Sequence, residues 1–79
     1  MNNQEKYDIS FTEAFSIDKE KLEKNLEYNS IDEWDSIGHM TLISELEKNF
    51  NISIETDDVI DLSSYQKGKT ILKKYKIIV

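Results

Sequence analysis

The residues best suited to chemistry lie in the stretch EWDSIGHM, residues 33–40. Ser36 follows an acid, Asp35, and directly precedes a run with helical periodicity. A serine in this position either caps the helix or displays its hydroxyl for a reaction. Because a helix start has free N–H groups and the positive end of the dipole, a phosphate ester on Ser36 would be stabilised there.

Three features favour a displayed hydroxyl, although a simple cap remains the alternative. The residue three positions after Ser36 is His39, so the Glu or Gln of a capping box is missing. Gly38 is unfavourable in a helix, and we expect it to leave space for another molecule beside Ser36. Ile37 falls on the polar face of the predicted helix, which is typical of a contact point. Asp35 would oppose a phosphate, so we expect it to hold a cation during transfer of a phosphate-bearing group.

A catalytic serine is disfavoured. It would need a base, a group that orients the base and an oxyanion hole. His39 is the only histidine, and its helical direction predicts a half-buried structural side chain. No Gly-x-Ser-x-Gly elbow surrounds Ser36, and there is no cysteine to act as a nucleophile or zinc ligand. We therefore predict neither enzymatic activity nor a metal site.

The elements that position these residues are predicted to be four helices. The strongest periodicity covers residues 36–50, and a weaker apolar stripe covers residues 7–15. Asp57 is predicted to cap a short third helix, and Ser63 or Ser64 a fourth. Residues 16–35 are interpreted as a long loop, in which residues 19–26 could form a helical turn or two. The residues predicted to face inward are Tyr7, Phe11, Ala14, Phe15, Leu42, Ile43, Leu46, Phe50, Tyr65, Ile71, Leu72 and Tyr75. The fold class is therefore all-α, a small four-helix bundle forming one domain over residues 1–79.

The charge pattern restricts the partners. Net charge is −6 and arginine is absent, which argues against nucleic acid binding. An acidic surface instead favours basic protein partners. Within residues 31–62, one base, Lys48, stands against nine acids: Asp32, Glu33, Asp35, Glu45, Glu47, Glu55, Asp57, Asp58 and Asp61. No apolar run is long enough for a membrane span. The lack of cysteine is compatible with a reducing cytoplasm, and we expect the protein to be cytoplasmic. We also expect it to be a monomer.

The stretch WDSIGHMTLISELEKNFNISI, residues 34–54, resembles the centre of an acyl carrier protein. In that family an Asp-Ser-Leu motif opens the second of four helices, and its serine carries 4′-phosphopantetheine donated by coenzyme A through a Mg²⁺-dependent transferase. The resemblance implies that Ser36 is the attachment site and that the chain shuttles acyl thioesters between biosynthetic enzymes. The implied partners are a phosphopantetheinyl transferase and acyl-transferring or acyl-activating enzymes with basic docking patches. The implied contact residues are Asp35, Ile37, Met40, Glu45 and Glu47.

Departures from the family pattern indicate a specialised carrier, in lipid or secondary-metabolite biosynthesis, rather than the housekeeping fatty-acid carrier. Trp34 precedes the motif, and the second helix carries fewer acids than is usual. Two alternatives remain: an aminoacyl or peptidyl carrier that uses the same serine, and an acidic helical adaptor without a prosthetic group. The side chains of Phe11, Phe15, Leu42, Leu46 and Phe50 are interpreted first as plain core. A secondary interpretation, if the chain is an acyl carrier, is that the helices part and shelter cargo among them.

Overall fold

The computed structural model describes residues 1–23 and 25–79. Four α-helices follow one another: α1 (Asn3–Phe15), α2 (Ser36–Phe50), α3 (Thr56–Asp61) and α4 (Tyr65–Lys73). A 3₁₀ turn, Lys19–Lys21, lies in the connection between α1 and α2. Lys24, which belongs to the turns predicted over residues 19–26, lies outside the described residues. The described part of the chain contains no strand, so the all-α prediction is confirmed. None of its helices is long and apolar enough to cross a membrane.

The helix boundaries follow from local capping. Asn2 and Glu5 form a capping box at the start of α1, and the Ser64 side chain accepts the Lys67 N–H at the start of α4. The prediction that Asp57 caps α3 is wrong. The N-cap is Glu55, and Asp57 lies within the first turn, where its charge favours the helix dipole.

Each of the two longest helices ends at a residue other than glycine that adopts the left-handed conformation. Ser16 closes α1 at φ 53° and Asn51 closes α2 at φ 54°. Lys76, after α4, has φ 65°. Neither glycine of the chain adopts a positive φ. The left-handed turns are therefore made by residues other than glycine, and both glycines lie where a Cβ would meet close neighbours.

The core lies between α1, α2, α4 and the loop before α2, and a cluster of aromatic side chains forms a large part of it. Tyr7, Phe11 and Trp34 are fully buried, with the Phe11 ring centroid 5.2 Å from that of Tyr65 and 5.6 Å from that of Trp34. The Tyr7 hydroxyl donates to the Tyr65 carbonyl at 2.5 Å, and burial raises the Tyr7 pKa above its usual range. A Cβ at Gly68 would lie 2.2 Å from the Tyr7 hydroxyl, so the glycine permits this contact. Of the predicted inward-facing residues, Ala14, Phe50 and Tyr75 are only partly buried.

The short helix α3 is held by polar contacts to the C-terminal segment. Its buried residue is Asp58, whose carboxylate accepts from Lys74 Nζ and from the Tyr75 hydroxyl, both at 2.6 Å. The Tyr75 hydroxyl in turn accepts the Glu55 N–H at 2.9 Å. The hydrogen bond from Lys74, followed by that from Tyr75, lowers the pKa of the Asp58 carboxyl. These contacts fix α3 to the segment that follows α4.

Candidate functional site

Asp35, not Ser36, caps α2. The Asp35 carboxylate accepts the Gly38 N–H at 2.8 Å, and its carbonyl accepts the His39 N–H at 2.8 Å. Ser36 is the first residue of the helix. The alternative in which the Ser36 hydroxyl is used as the cap is therefore wrong. The Asp35 carboxylate serves as the cap in this structure. That it also holds a cation during transfer of a phosphate-bearing group stays a prediction.

The Ser36 hydroxyl is exposed and lies 3.0 Å from the hydroxyl of Tyr28. The loop brings Tyr28 there through backbone contacts: its N–H donates to the Ser63 carbonyl at 2.8 Å, and the next residue, Asn29, is left-handed at φ 67°. The Asn29 N–H donates to the Trp34 carbonyl at 2.9 Å, which closes the loop just before the serine. The sequence did not point to Tyr28 as a neighbour of Ser36, because loop residues without periodicity carry no signal of their spatial neighbours.

Gly38 faces the chain itself. A Cβ at this position would lie 1.9 Å from the carbonyl oxygen of Glu33. The expectation of open space for another molecule is therefore wrong, because the loop doubles back across the first turn of α2. The glycine instead allows the backbone before Ser36 to pack closely on the helix that presents it.

A cleft of about 360 Å³ opens beside Ser36, between α2 and α3. Ser36 lies at one side of the cleft, and the apolar side chains of Met40, Ile60 and Val59 form much of its wall. The remaining lining residues are Tyr28, His39, Leu62 and Ser63. A mostly apolar cleft with an exposed hydroxyl among its lining residues suits a small, largely apolar ligand.

His39 is half-buried, and both of its ring nitrogens are engaged. Nδ1 accepts the indole N–H of Trp34 at 2.9 Å, which leaves Nε2 to donate to the Val59 carbonyl at 2.7 Å. These bonds specify the neutral tautomer with its proton on Nε2. No ring lone pair is left to take a proton from Ser36, so the arrangement contains no serine–histidine nucleophile.

Apolar side chains stand exposed around the serine. Ile37 is 79% exposed, Met40 55% and Ile60 74%. Ile37 and Met40 were predicted as contact residues, whereas Ile60 was not. The sequence carried no signal that Ile60 of the short helix α3 would be exposed. We define these three residues with Ser36 as the Ser36 surface.

The other two predicted contact residues lie farther along α2. Glu45 and Glu47 follow Ser36 by nine and eleven positions, or about 14 to 16 Å along a helix axis. Glu45 forms an ion pair with Lys48 at 2.7 Å, and Glu47 accepts the Ile54 N–H at 2.8 Å. The structure thus brings Asp35, Ile37 and Met40 together near the serine and places the two glutamates outside the Ser36 surface.

The chain is similar in sequence to a known protein. The chain is 31% identical over 65 residues to the acyl carrier protein of Lactobacillus johnsonii, and the match covers 82% of this chain and 81% of the relative. The chain belongs to the acyl carrier protein family. No protein-family model and no solved structure matches it. Acyl carrier proteins are non-catalytic, so the prediction that the chain is not an enzyme is confirmed.

Proposed function

We propose that this acyl carrier protein holds acyl groups as thioesters on a 4′-phosphopantetheine arm attached to Ser36, and delivers them between biosynthetic enzymes. The observation that carries the proposal is the state of the Ser36 hydroxyl, which is exposed in the first turn of α2 and released from capping by Asp35. Membership of the family supports an acyl cargo over an aminoacyl or peptidyl one, and disfavours an adaptor without a prosthetic group.

The residues around Ser36 fit a phosphate-linked arm. The positive end of the α2 dipole favours a phosphodiester at this position, although the Gly38 N–H is taken by Asp35, whose carboxylate opposes the added charge. The exposed Tyr28 hydroxyl, 3.0 Å from Ser36 Oγ, can donate a hydrogen bond to an oxygen there. The bound arm supplies the thiol, a group that the side chains of this cysteine-free protein lack. The protein's own part is to orient the serine, stabilise the negative charge and offer the adjoining cleft.

The Ser36 surface is the proposed contact for a phosphopantetheinyl transferase and for acyl-transferring or acyl-activating enzymes. Ile37, Met40 and Ile60 offer apolar area that a partner can bury. The exposed acids Asp35, Asp57 and Asp61 flank it in sequence and favour partners with basic patches. Such contacts suit brief encounters, which a shuttle requires. We propose that the carrier serves a specialised pathway, because Trp34 before the motif and the few acids on α2 depart from the family pattern.

Intact-mass measurement tests the attachment site. Wild type, Ser36→Ala and Ser44→Ala are incubated with coenzyme A, Mg²⁺ and a promiscuous phosphopantetheinyl transferase. Ser44 is the matched control, because it is an exposed serine on the same helix. We expect wild type and Ser44→Ala each to gain the mass of one phosphopantetheine, and Ser36→Ala to gain none. A gain in Ser36→Ala, or none in folded wild type, would contradict the proposal.

A further inference from the structure

The backbone holds the Tyr28 side chain beside Ser36. The Tyr28 N–H donates to the Ser63 carbonyl at 2.8 Å, and the Tyr65 N–H donates to the Leu26 carbonyl at 2.9 Å. Between these two hydrogen bonds the loop forms an isolated antiparallel bridge to the residues that open α4. The fold therefore fixes the stretch of backbone from which the Tyr28 side chain extends.

The Tyr28 ring is also held from the side. It meets the His39 imidazole edge-on, with ring centroids 5.7 Å apart. His39 is itself fixed, because it accepts the Trp34 indole N–H and donates to the Val59 carbonyl. The ring thus packs against an ordered neighbour, while Tyr28 as a whole remains 38% exposed and its hydroxyl lies 3.0 Å from Ser36 Oγ. The hydroxyl can change its hydrogen-bond partner without any change in the packing of the ring.

The segment around Ser36 carries no cationic side chain that could hold a phosphate. No lysine or arginine occurs in residues 25–47, and no lysine lines the cleft beside the serine. The N–H groups of the third and fourth residues of α2 are already bonded to Asp35. The Tyr28 hydroxyl is therefore a neighbouring donor that can turn toward a new acceptor at Ser36.

Loading of the arm would change the oxygen that the Tyr28 hydroxyl meets. In the transfer, Ser36 Oγ bonds to the phosphorus of coenzyme A nearest the pantetheine, and the bond from that phosphorus to the bridging oxygen of the pyrophosphate breaks. Adenosine bisphosphate leaves with the electron pair, and the serine proton passes to a base of the transferase. Oγ is then an ester oxygen, and the two non-bridging oxygens beside it share a negative charge. A hydrogen bond to such an oxygen is roughly twice as strong as one between neutral groups.

We propose that Tyr28 is a positioning residue for the arm: its hydroxyl moves from Ser36 Oγ to a non-bridging oxygen of the phosphodiester and holds the base of the arm against the loop before α2. This inference rests on the proposed function and assigns to it a side chain outside the serine motif. The role requires the Tyr28 hydroxyl alone, so an experiment can separate it from the packing of the ring on His39.

Thermal unfolding with and without the arm tests the role of Tyr28. Wild type, Tyr28→Phe and Tyr65→Phe are prepared in both forms, and intact mass confirms loading. Because Tyr28→Phe keeps the ring and loses the charge-assisted hydrogen bond, we expect the change in melting temperature on loading to be at least about 2 °C more favourable in wild type. Tyr65→Phe is the matched control, since its hydroxyl bonds to Asp8 and Gln4 in the core. It should lower both melting temperatures and leave the change on loading as in wild type.

Phosphorus NMR of the loaded carrier reads the same contact at the phosphodiester. In the folded protein we expect the signal of Tyr28→Phe to be displaced from that of wild type. The two signals should coincide in urea, where the contact is lost in both proteins. Folded Tyr65→Phe should give the wild-type signal, because its hydroxyl lies in the core and not at Ser36.

Failure of the inference and failure of the proposed function give different results. A loaded Tyr28→Phe whose melting temperature changes on loading as in wild type, or whose folded phosphorus signal coincides with that of wild type, would overturn the role of Tyr28. Attachment at Ser36 would stand in either case. Folded wild type that gains no arm from a competent transferase would overturn the proposed function, and this inference with it.

Discussion

The aromatic core and the Ser36 surface both contain apolar side chains, but the core buries them and the Ser36 surface exposes them. Phe11 and Leu46 in the core are fully buried, whereas Ile37 and Ile60 are 79% and 74% exposed. Burying apolar side chains within the chain stabilises the fold, while leaving them in water reserves that free energy for a partner. The comparison teaches that this small protein does not bury all of its apolar residues on folding, and that some stay exposed beside Ser36, where the proposed function uses them.

Polar groups follow the same division. In the core, the Tyr65 hydroxyl donates to Asp8 and accepts from Gln4, and burial together with Asp8 raises the pKa of Tyr65 to about 12. At the Ser36 surface, the Ser36 and Tyr28 hydroxyls pair with each other and remain exposed to solvent. The core hydroxyls are thus committed to the fold, and the surface hydroxyls stay available to an incoming enzyme.

The largest effect is expected in the core. Phe11→Ala removes a fully buried ring that contacts Tyr7, Trp34 and Tyr65. We expect the free energy of unfolding to fall by about 3–5 kcal/mol, because the ring's burial is lost and a cavity remains. Urea denaturation followed by circular dichroism measures this. A loss no greater than that of Ile37→Ala would break the distinction between the two regions.

A smaller loss of stability is expected from Asp58→Asn. The Asp58 carboxylate connects α3 to the C-terminal segment through its hydrogen bonds to Lys74 and Tyr75. The pKa of Asp58 is lowered in the folded protein, so its charge stabilises the fold above the ordinary carboxyl pKa, and this contribution disappears as the pH falls through the lowered value. We expect the melting temperature of wild type to drop below about pH 4, and Asp58→Asn to start lower and drop less. Asp61→Asn, exposed on the same helix, is the control. Parallel curves for wild type and Asp58→Asn would contradict this assignment.

The cap of α2 contributes less again. Asp35→Ala removes the acceptor of the Gly38 N–H, and we expect the protein to lose about 0.5–2 kcal/mol of unfolding free energy. Ser36→Ala should leave stability nearly unchanged, because Asp35 and not Ser36 caps the helix. Thermal unfolding of the two variants side by side decides the matter, and the reverse order would return the capping role to Ser36.

The smallest effect on stability and a clear effect on binding are expected from Ile37→Ala. Because its side chain is 79% exposed, the unfolding free energy should change by less than about 0.5 kcal/mol. The KM of the phosphopantetheinyl transferase for the carrier should rise. Steady-state transfer assays with Ser44→Ala as the control measure this. An unchanged KM would remove Ile37 from the Ser36 surface.

What could be predicted from the sequence was local. The range predicted for the second helix and the observed α2 coincide, because fifteen residues of consistent periodicity determine a helix and its apolar face. One of the two candidate caps for α4, Ser64, is the actual cap. Choosing between Asp35 and Ser36 was harder, since both residue types are good caps and only the backbone angles distinguish them.

What could not be predicted was the contact of distant segments. Tyr28 reaches Ser36 through a loop that has no periodicity, and the Glu33 carbonyl fills the space that Gly38 was expected to leave open. The pairing of His39 with Val59 joins residues twenty positions apart, on separate helices. Such contacts depend on how the loop and helices pack, and single-residue preferences do not encode this.

The left-handed residues Ser16, which ends α1, and Lys76, which follows α4, bear on how this carrier could change over time. A left-handed conformation is about 1–2 kcal/mol less favourable for a residue with a side chain than for glycine. Ser16 and Lys76 nevertheless adopt it, whereas both glycines lie where neighbouring atoms pack too closely for a Cβ. Neither residue lines the cleft beside Ser36. Heat resistance and cellular lifetime could therefore rise by substitution at these helix ends without altering the surface that partners read, so selection can adjust the durability of the protein and its choice of partners independently.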